Sequence, residues 1–434
     1  MCSTSFVTLG RAQLKALGCP DTPIAVIPHP FGLRTRDEVR QLAGKCVDDI
    51  ARLALGAEGN ADARNRAAGS EVVARAASLS VADDLFAFNE ECESRRWGDG
   101  LPLIPPTPER VEQMLRGTSR TPSEVVAYLA PGFGVASIER ISINAVMAGC
   151  RPEYLPLLIA AVEAVADRRF NLQGIQATTN PATPWIVVNG PIAGHLRVNA
   201  RLNCLGQGAW ANATLGRALR LVLQNIGGAL PGDMDRATHG QPGKYTFCCG
   251  ENEAESPWAP LHVERGYAAG ESVVTVIAAA GTLNMNSHAK DATDLLRVIS
   301  DSMTVPTSND YHFAGEPWVV ISPEHAEVLK RGGLSKADVK KQLWEQSKMS
   351  ASRFAAKDYD RARHTRGAEL GGFTRDTAVP ISRRPDDVGI IVAGGPGTHS
   401  VYVPTFGQTR AVSRRVTAYP TRTTILPTCA LDSM

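Results

Sequence analysis

One predicted strand stands alone between two predicted helices at the start of this chain. Residues 4–18 carry apolar side chains at helical spacing, and residues 35–54 repeat that pattern behind Thr35, a good helix cap. Between them, residues 24–28 (IAVIP) predict a short buried strand. A single strand leaves its backbone donors and acceptors unpaired, so it is not a stable sheet by itself. Residues 1–57 therefore predict a partial α/β unit that a partner polypeptide completes.

The rest of the chain predicts a linker and then a large α/β body. Residues 58–80 are rich in Ala, Gly, Asn and Arg, and the body occupies residues 81–434. Several of its helices have clear start signals. Pro108 is at a first helical position, and Ser335 and Asp338 are placed as a capping box. Strands apolar on both faces alternate with these helices, which predicts a mostly buried sheet. The predicted strands are 184–188, 272–279, 317–321 and 387–393.

Composition limits the function classes. The formal net charge of +2 over 434 residues argues against a nucleic-acid-binding protein. The sequence has no apolar run of about 18 residues, which a membrane-spanning helix needs. Its first residues also lack the basic segment followed by an apolar segment that is typical of a secretory signal. We therefore expect a cytoplasmic protein. The nine cysteines lack CxxC spacing, so we expect reduced thiols and no metal site.

Two glycine-containing loops are candidate site segments. In the first, Asp99 lies between Gly98 and Gly100, where it is either a general base or a turn residue that bonds its own backbone. The second, residues 206–217, leads into an apolar helix, and free N–H groups at a helix start favour an anion. Its candidate anion ligands are Asn212, Thr214 and Arg217. An ordinary helix start with a solvated arginine is the alternative.

The most polar stretch runs from residue 239 to residue 264. Its density of titratable groups suits proton transfer and charge stabilisation, although an elaborate surface loop with salt bridges has the same composition. The candidates are His239, Lys244, Tyr245, His262 and Glu264.

Two further segments carry candidate residues. Residues 394–400 follow a predicted strand and contain His399 and Ser400, in a position where α/β proteins often bind ligands. The sequence lacks a G-x-S-x-G elbow, so a serine hydrolase is not favoured. Residues 353–384 are net basic and either dock an acidic partner or form a solvated loop.

Several stretches resemble the UGSC-like domain family. The opening TSFVTLGRAQLKALGCPDTPIAVIPHP (4–30) resembles the end of that domain, without the motif-bearing front for which the family is named. The body is similar to the large domain that often follows it. The matching stretches are DGLPLIPPTPERV (99–111), INAVMAGCRPEYLP (143–156), ANATLGRALRLVL (211–223), HGQPGKYTFCCGENEAESPWAPLHVERG (239–266), ISPEHAEVL (321–329) and VAGGPGTHS (392–400).

The resemblance implies a specific enzyme class. A split chain of this kind resembles the large subunit of the heteromeric aziridine-forming cyclases of azinomycin-type antibiotic pathways. Such a lyase eliminates sulfate as an amine attacks the neighbouring carbon, and it uses no metal or redox cofactor. It works with a small UGSC-like subunit on a substrate borne by an acidic amino-group carrier protein. The resemblance adds Asn144, within INAVMAGC, to the candidate substrate-binding residues.

Two other functions remain open from the sequence. In one, the partner's UGSC cysteine or selenocysteine performs thiol-dependent redox or lyase chemistry, and this chain binds the substrate. In the other, the chain is a non-catalytic scaffold for the small subunit. A polar, accessible site formed by residues 206–264 would count against the scaffold.

Overall fold

The computed structural model describes residues 1–32, 34–55 and 75–417. Helices and strands alternate through these ranges, which confirms the predicted α/β class. The helices are α1 (Val7–Ala16), α2 (Arg36–Leu55), α3 (Leu85–Ser94), α4 (Pro108–Leu115), α5 (Ile138–Ala148), α6 (Leu155–Val165), α7 (Leu172–Gln176), α8 (Pro191–His195), α9 (Trp210–Asn225), α10 (Leu261–Glu264), α11 (Ala292–Met303), α12 (Asn309–Phe313), α13 (Pro323–Arg331), α14 (Lys336–Gln346) and α15 (Ala356–Arg366).

The strands form two principal sheets and several short pairs. The strands are β1 (Cys2–Ser3), β2 (Val26–Ile27), β3 (Val125–Leu129), β4 (Gly134–Ser137), β5 (Thr183–Asn189), β6 (Cys248–Gly250), β7 (Val273–Ala279), β8 (Leu283–Asn286), β9 (Trp318–Ile321), β10 (Met349–Ser350), β11 (Ala378–Val379), β12 (Gly389–Val392), β13 (His399–Val403) and β14 (Val412–Arg415). One principal sheet has the order β14-β7-β5-β6 and the other the order β12-β9-β13-β8. All four predicted strands of the body are present, as β5, β7, β9 and β12.

The N-terminal strand is not alone, which corrects the sequence prediction. β1 pairs in parallel with β2, joining Cys2 to Val26 and Ser3 to Ile27. A two-residue strand is too short to show a period-2 pattern, so the sequence gives no sign of it. Thr35 caps α2 as predicted, because the Glu38 N–H donates to its hydroxyl at 3.3 Å while Glu38 Oε2 accepts from the Thr35 N–H at 2.7 Å.

The predicted linker is described only in part. Residues 58–74 of that prediction lie outside the described residues. Arg75 and Ala76, the first residues described after this gap, contact the body. The buried Glu139 carboxylate accepts from Arg75 Nε and from the Ala76 N–H, both at 2.9 Å.

The two principal sheets repeat one arrangement and exchange their edge strands. In each, two central strands run antiparallel, β5 with β7 and β9 with β13. A short strand flanks each pair in parallel, β6 beside β5 and β12 beside β9. The fourth strand of each sheet follows a central strand of the other sheet in the chain, because β8 follows β7 and β14 follows β13. The two sheets thus share one strand arrangement, and each contributes an edge strand to the other.

The sheets pack against each other through corresponding residues. Trp185 near the start of β5 and Trp318 at the start of β9 are buried, with ring centroids 6.2 Å apart in an edge-to-face arrangement. Alternate residues of both sheets continue this interface, including Val187 and Val320. Helices cover the outer faces, and none of the helices that the model describes is long and apolar enough to cross a membrane.

Candidate active site

A cluster of polar side chains lies at the carboxyl ends of β5 and β6. These strands run in parallel, so the residues that follow them meet at one edge of the sheet. β5 ends at Asn189, and Glu251 comes directly after β6. Glu253 follows in the same loop, and His262 lies on α10. We call Asn189, Glu251, Glu253 and His262 the acidic cluster.

Asn189 joins the two carboxylates of the cluster. Its Nδ2 donates to Glu251 Oε2 at 2.6 Å and to Glu253 Oε1 at 3.0 Å. Backbone amides complete the arrangement, because the Gly190 N–H donates to Glu253 Oε1 and the Leu261 N–H to Glu251 Oε2, both at 2.7 Å. One oxygen of each carboxylate is therefore fixed by two donors.

The cluster also holds buried atoms without a hydrogen-bond partner in the described part of the chain. They are Asn189 Oδ1, Glu251 Oε1 and His262 Nδ1, and all three residues are buried. An unsatisfied buried polar group costs about 1–3 kcal/mol, so three together make this strand end a candidate place for a ligand. Burial raises the pKa of Glu251, and the charge of Lys336 only partly opposes this.

Helix α14 places two lysines beside the cluster. Lys336 Nζ lies 2.9 Å from Glu264 Oε2 and 4.0 Å from Glu251 Oε1, and Lys340 also binds Glu264. Burial opposes ionisation of Glu264, but the two lysines outweigh it and lower its pKa. Glu264 is thus an ionised partner of lysines here, and its predicted role as an alternative base stays a prediction.

Asp99 and Arg217, two separately predicted residues, form one ion pair. Arg217 Nε donates to Asp99 Oδ2 at 2.7 Å, and Arg217 NH2 donates to Asp99 Oδ1 at 2.8 Å. The pair ties the 97–102 loop to α9, and the Asp99 side chain is only 4% exposed. Both carboxylate oxygens face the guanidinium, so a base at this position would first have to leave its partner.

The other predicted anion ligands near α9 also have partners within the chain. Asn212 Oδ1 accepts from the Asn199 N–H at 2.8 Å, and its Nδ2 donates to the Asn199 carbonyl at 2.9 Å. Thr214 bonds the Trp210 carbonyl of its own helix at 2.9 Å. Asn144 on α5 accepts from Asn225 Nδ2 at 2.7 Å, which joins α5 to α9.

The 239–264 stretch divides into two places. Lys244 Nζ binds the buried Asp235 at 2.5 Å, and burial lowers the pKa of Lys244 although Asp235 opposes the shift. His239 and Tyr245 are exposed. His262 instead belongs to the acidic cluster, where its Nε2 lies 3.3 Å from the Ala269 carbonyl oxygen.

The 394–400 segment separates its two candidates. His399 is exposed and contacts Asn284, whereas Ser400 is buried. Ser400 Oγ lies 2.7 Å from Nδ1 of His325, whose Nε2 lies 3.0 Å from the Ser287 carbonyl oxygen. The histidine that contacts Ser400 is therefore His325 and not the adjacent His399.

Sequence reasoning placed Glu251 and Glu253 in the polar 239–264 stretch without selecting them as candidates, and it missed Asn189. All three end or follow strands, and an amide or carboxylate in that position was an available signal. Asn189 ends the run PWIVVN, and Glu251 comes directly after the buried CCG of β6.

Comparison with known proteins finds a family match at the start of the chain. Residues 1–56 match the model of the UGSC family. The curated proteins include no match to this chain. The family match covers the partial N-terminal unit and supports the resemblance found there.

Proposed function

We propose that this chain is the large subunit of a heteromeric enzyme that forms an aziridine ring with loss of sulfate. The UGSC family match at residues 1–56 and the exposed apolar surface of the same unit carry the proposal. The partner is a small UGSC-like subunit, and the substrate is a sulfated amino-acid derivative on an acidic carrier protein.

The N-terminal unit exposes large apolar side chains of the kind that a complete domain buries. Among its described residues, the buried apolar side chains are Ala25 and Cys46. Large apolar side chains on α2, on β2 and in the adjoining loops are exposed instead. Those exposed are Leu17, Val26, Phe31, Val47, Ile50 and Leu55. Several exposed apolar side chains in one small unit are typical of an interaction surface, and a partner that adds strands beside β1 or β2 would cover them.

The acidic cluster supports the proposed chemistry. Ring closure needs a neutral amine, which requires a proton acceptor near the reacting nitrogen. It also needs the amine held behind the carbon that bears sulfate. Carboxylates fixed by backbone amides at a strand end are suited to both tasks. Lys244 is our candidate cation for the leaving sulfate, and it would have to leave Asp235 to bind that group.

The first test is dependence on the partner. We expect the lone chain to be poorly soluble or inactive, and co-expression with the small subunit to restore soluble, active protein. The measurements are yield, co-elution and sulfate release from carrier-borne substrate. A lone chain with the full activity of the pair would contradict the heteromeric proposal.

The carrier proposal rests on the basic surface around α15. Arg361 and Arg363 are exposed, whereas Arg366 is buried and belongs to the core, so the predicted surface loses that residue. Opposite charges accelerate association in a salt-dependent way. Arg361→Glu with Arg363→Glu should therefore lower kcat/KM for the carrier-borne substrate by about tenfold at low salt.

The matched control reverses two charges on another exposed helix surface. Lys330→Glu with Arg331→Glu on α13 makes the same change in net charge. This variant should keep the carrier kinetics of the unmodified protein. Equal losses in both variants, or kinetics independent of salt, would show that α15 is not the docking surface.

A further inference from the structure

We propose that Glu253 accepts the proton from the substrate's reacting amine and that His262 is the positioning residue behind it. This inference rests on the proposed function and deepens it, because it names the group that makes the amine nucleophilic. It moves the base from the predicted Asp99 to a residue that sequence reasoning did not select.

Glu253 is the member of the acidic cluster that reaches the surface. Its side chain is 28% exposed, whereas those of Glu251 and His262 are 0% and 1% exposed. Its Oε1 is held by the Gly190 N–H at 2.7 Å and by Asn189 Nδ2 at 3.0 Å. A carboxylate fixed on one side and open on the other presents a positioned acceptor to a ligand.

His262 provides a place for the transferred proton. Its Nε2 faces the Ala269 carbonyl at 3.3 Å, an acceptor only, so this nitrogen carries hydrogen. Its Nδ1 has no hydrogen-bond partner in the described structure and lies 3.7 Å from Glu253 Oε1. A proton received by Glu253 can therefore be donated on to Nδ1, a contact that needs only a small closing movement.

The remaining unpartnered atoms are acceptors. Asn189 Oδ1 and Glu251 Oε1 are buried without a hydrogen-bond donor in the described ranges, and Lys336 Nζ stays 4.0 Å from the latter. Neither atom reaches solvent, so an ammonium would contact Glu253 and have these acceptors only behind it. The geometry thus favours an amine over an anion as the ligand at this strand end.

The competing carboxylates are less suited. Glu251 is closed off from solvent, Glu264 is bound by Lys336 and Lys340, and Asp99 is bound through both oxygens by Arg217.

The step balances as follows. Glu253 takes one proton from the substrate ammonium, and the freed lone pair attacks the neighbouring carbon. The new carbon–nitrogen bond forms as the carbon–oxygen bond to sulfate breaks, and sulfate leaves with that bonding pair. The ring nitrogen then gives its extra proton to water. Glu253 passes its proton to His262 Nδ1, from which it returns to solvent after sulfate has left.

The test compares Glu253→Gln with Glu255→Gln, a more exposed glutamate in the same loop, within the co-expressed pair. In single turnover we expect Glu253→Gln to slow ring formation by about a hundredfold and Glu255→Gln to leave it unchanged. Added formate should raise the rate of ring formation by Glu253→Ala about tenfold, which a purely structural defect would not allow. For His262, we expect His262→Phe to lower kcat with KM unchanged and His262→Gln to recover part of that loss.

A binding measurement separates this inference from the proposed function. The probe is 2-aminoethyl sulfate, followed by saturation-transfer NMR on the unmodified pair and both variants. We expect Glu253→Gln to weaken binding by about tenfold and Glu255→Gln to keep it. If the pair forms no ring, the proposed function fails and this arm still tests the amine site. Normal ring formation by Glu253→Gln, equal binding by the two variants, or no binding to the unmodified pair would overturn the role of Glu253.

Discussion

Replacing Arg366 with Ala should lower the free energy of unfolding by about 3 to 5 kcal/mol, the range for removing one partner of a buried ion pair. Arg366 is 1% exposed, and its guanidinium makes four hydrogen bonds to three groups. It donates to the carbonyls of Tyr311 at 2.9 Å and Pro380 at 3.1 Å, and twice to Glu369 Oε1 at 2.9 and 3.2 Å. Its removal leaves buried carbonyls without donors and Glu369 with less compensating charge.

Arg363 on the same helix is the matched control. It is exposed and lies 3.5 Å from Asp360, a surface pair of the kind that contributes little. Arg363→Ala should change the unfolding free energy by less than about 0.5 kcal/mol. Urea unfolding measures both variants, and equal midpoints for the two would show that Arg366 does not brace the core.

Asp99→Asn should destabilise the chain by about 3 kcal/mol, because the substitution leaves the part-buried Arg217 without its charged partner. The amide places an N–H₂ group or a neutral oxygen where two charge-assisted bonds now form at 2.7 and 2.8 Å. We expect the folded variant to cyclise within about threefold of the unmodified rate, since we propose Glu253 as the base.

Two measurements on Asp99→Asn test whether Asp99 is a structural residue or the base. Thermal or urea unfolding gives the stability change, and single-turnover ring formation gives the chemical rate. An Asp99→Asn protein of normal stability that cyclises about a hundredfold more slowly would return the base to Asp99. In that case the pairing with Arg217 would have to open in the complex.

Much of the element pattern was predictable because local signals agree with the fold. The capping box at Ser335 and Asp338 is present, and Thr107 accepts from the Arg110 N–H at the start of α4. The buried strands were recognisable as short apolar runs between turns. Each of these signals lies within a few residues of the structure that it specifies.

Features set by distant contacts were not predictable. The exchange of β8 and β14 between the two sheets depends on pairing across more than a hundred residues, as Val412 with Val276 shows. Arg366 appeared to belong to a basic surface because its buried partners, Tyr311 and Pro380, lie outside its own helix. Charge density in a sequence window does not show which members fold inward.

The candidate site was predicted in region but not in detail. The 239–264 stretch supplies Glu251, Glu253 and His262, yet Asn189 comes from a strand some sixty positions earlier and Lys336 from a helix beyond it. Asp99 was predicted as a general base and Arg217 as an anion ligand in a different segment. Only the folded chain shows that they bind each other.

The central claim is tested most directly by the stoichiometry of one reaction. The co-expressed pair is given carrier-borne substrate with an amine next to a sulfated carbon, and released sulfate and aziridine product are quantified together by chromatography and mass spectrometry. The account predicts one sulfate for each ring, with neither formed by the lone chain. Ring formation without sulfate, sulfate release without a ring, or no reaction by an intact pair would contradict it.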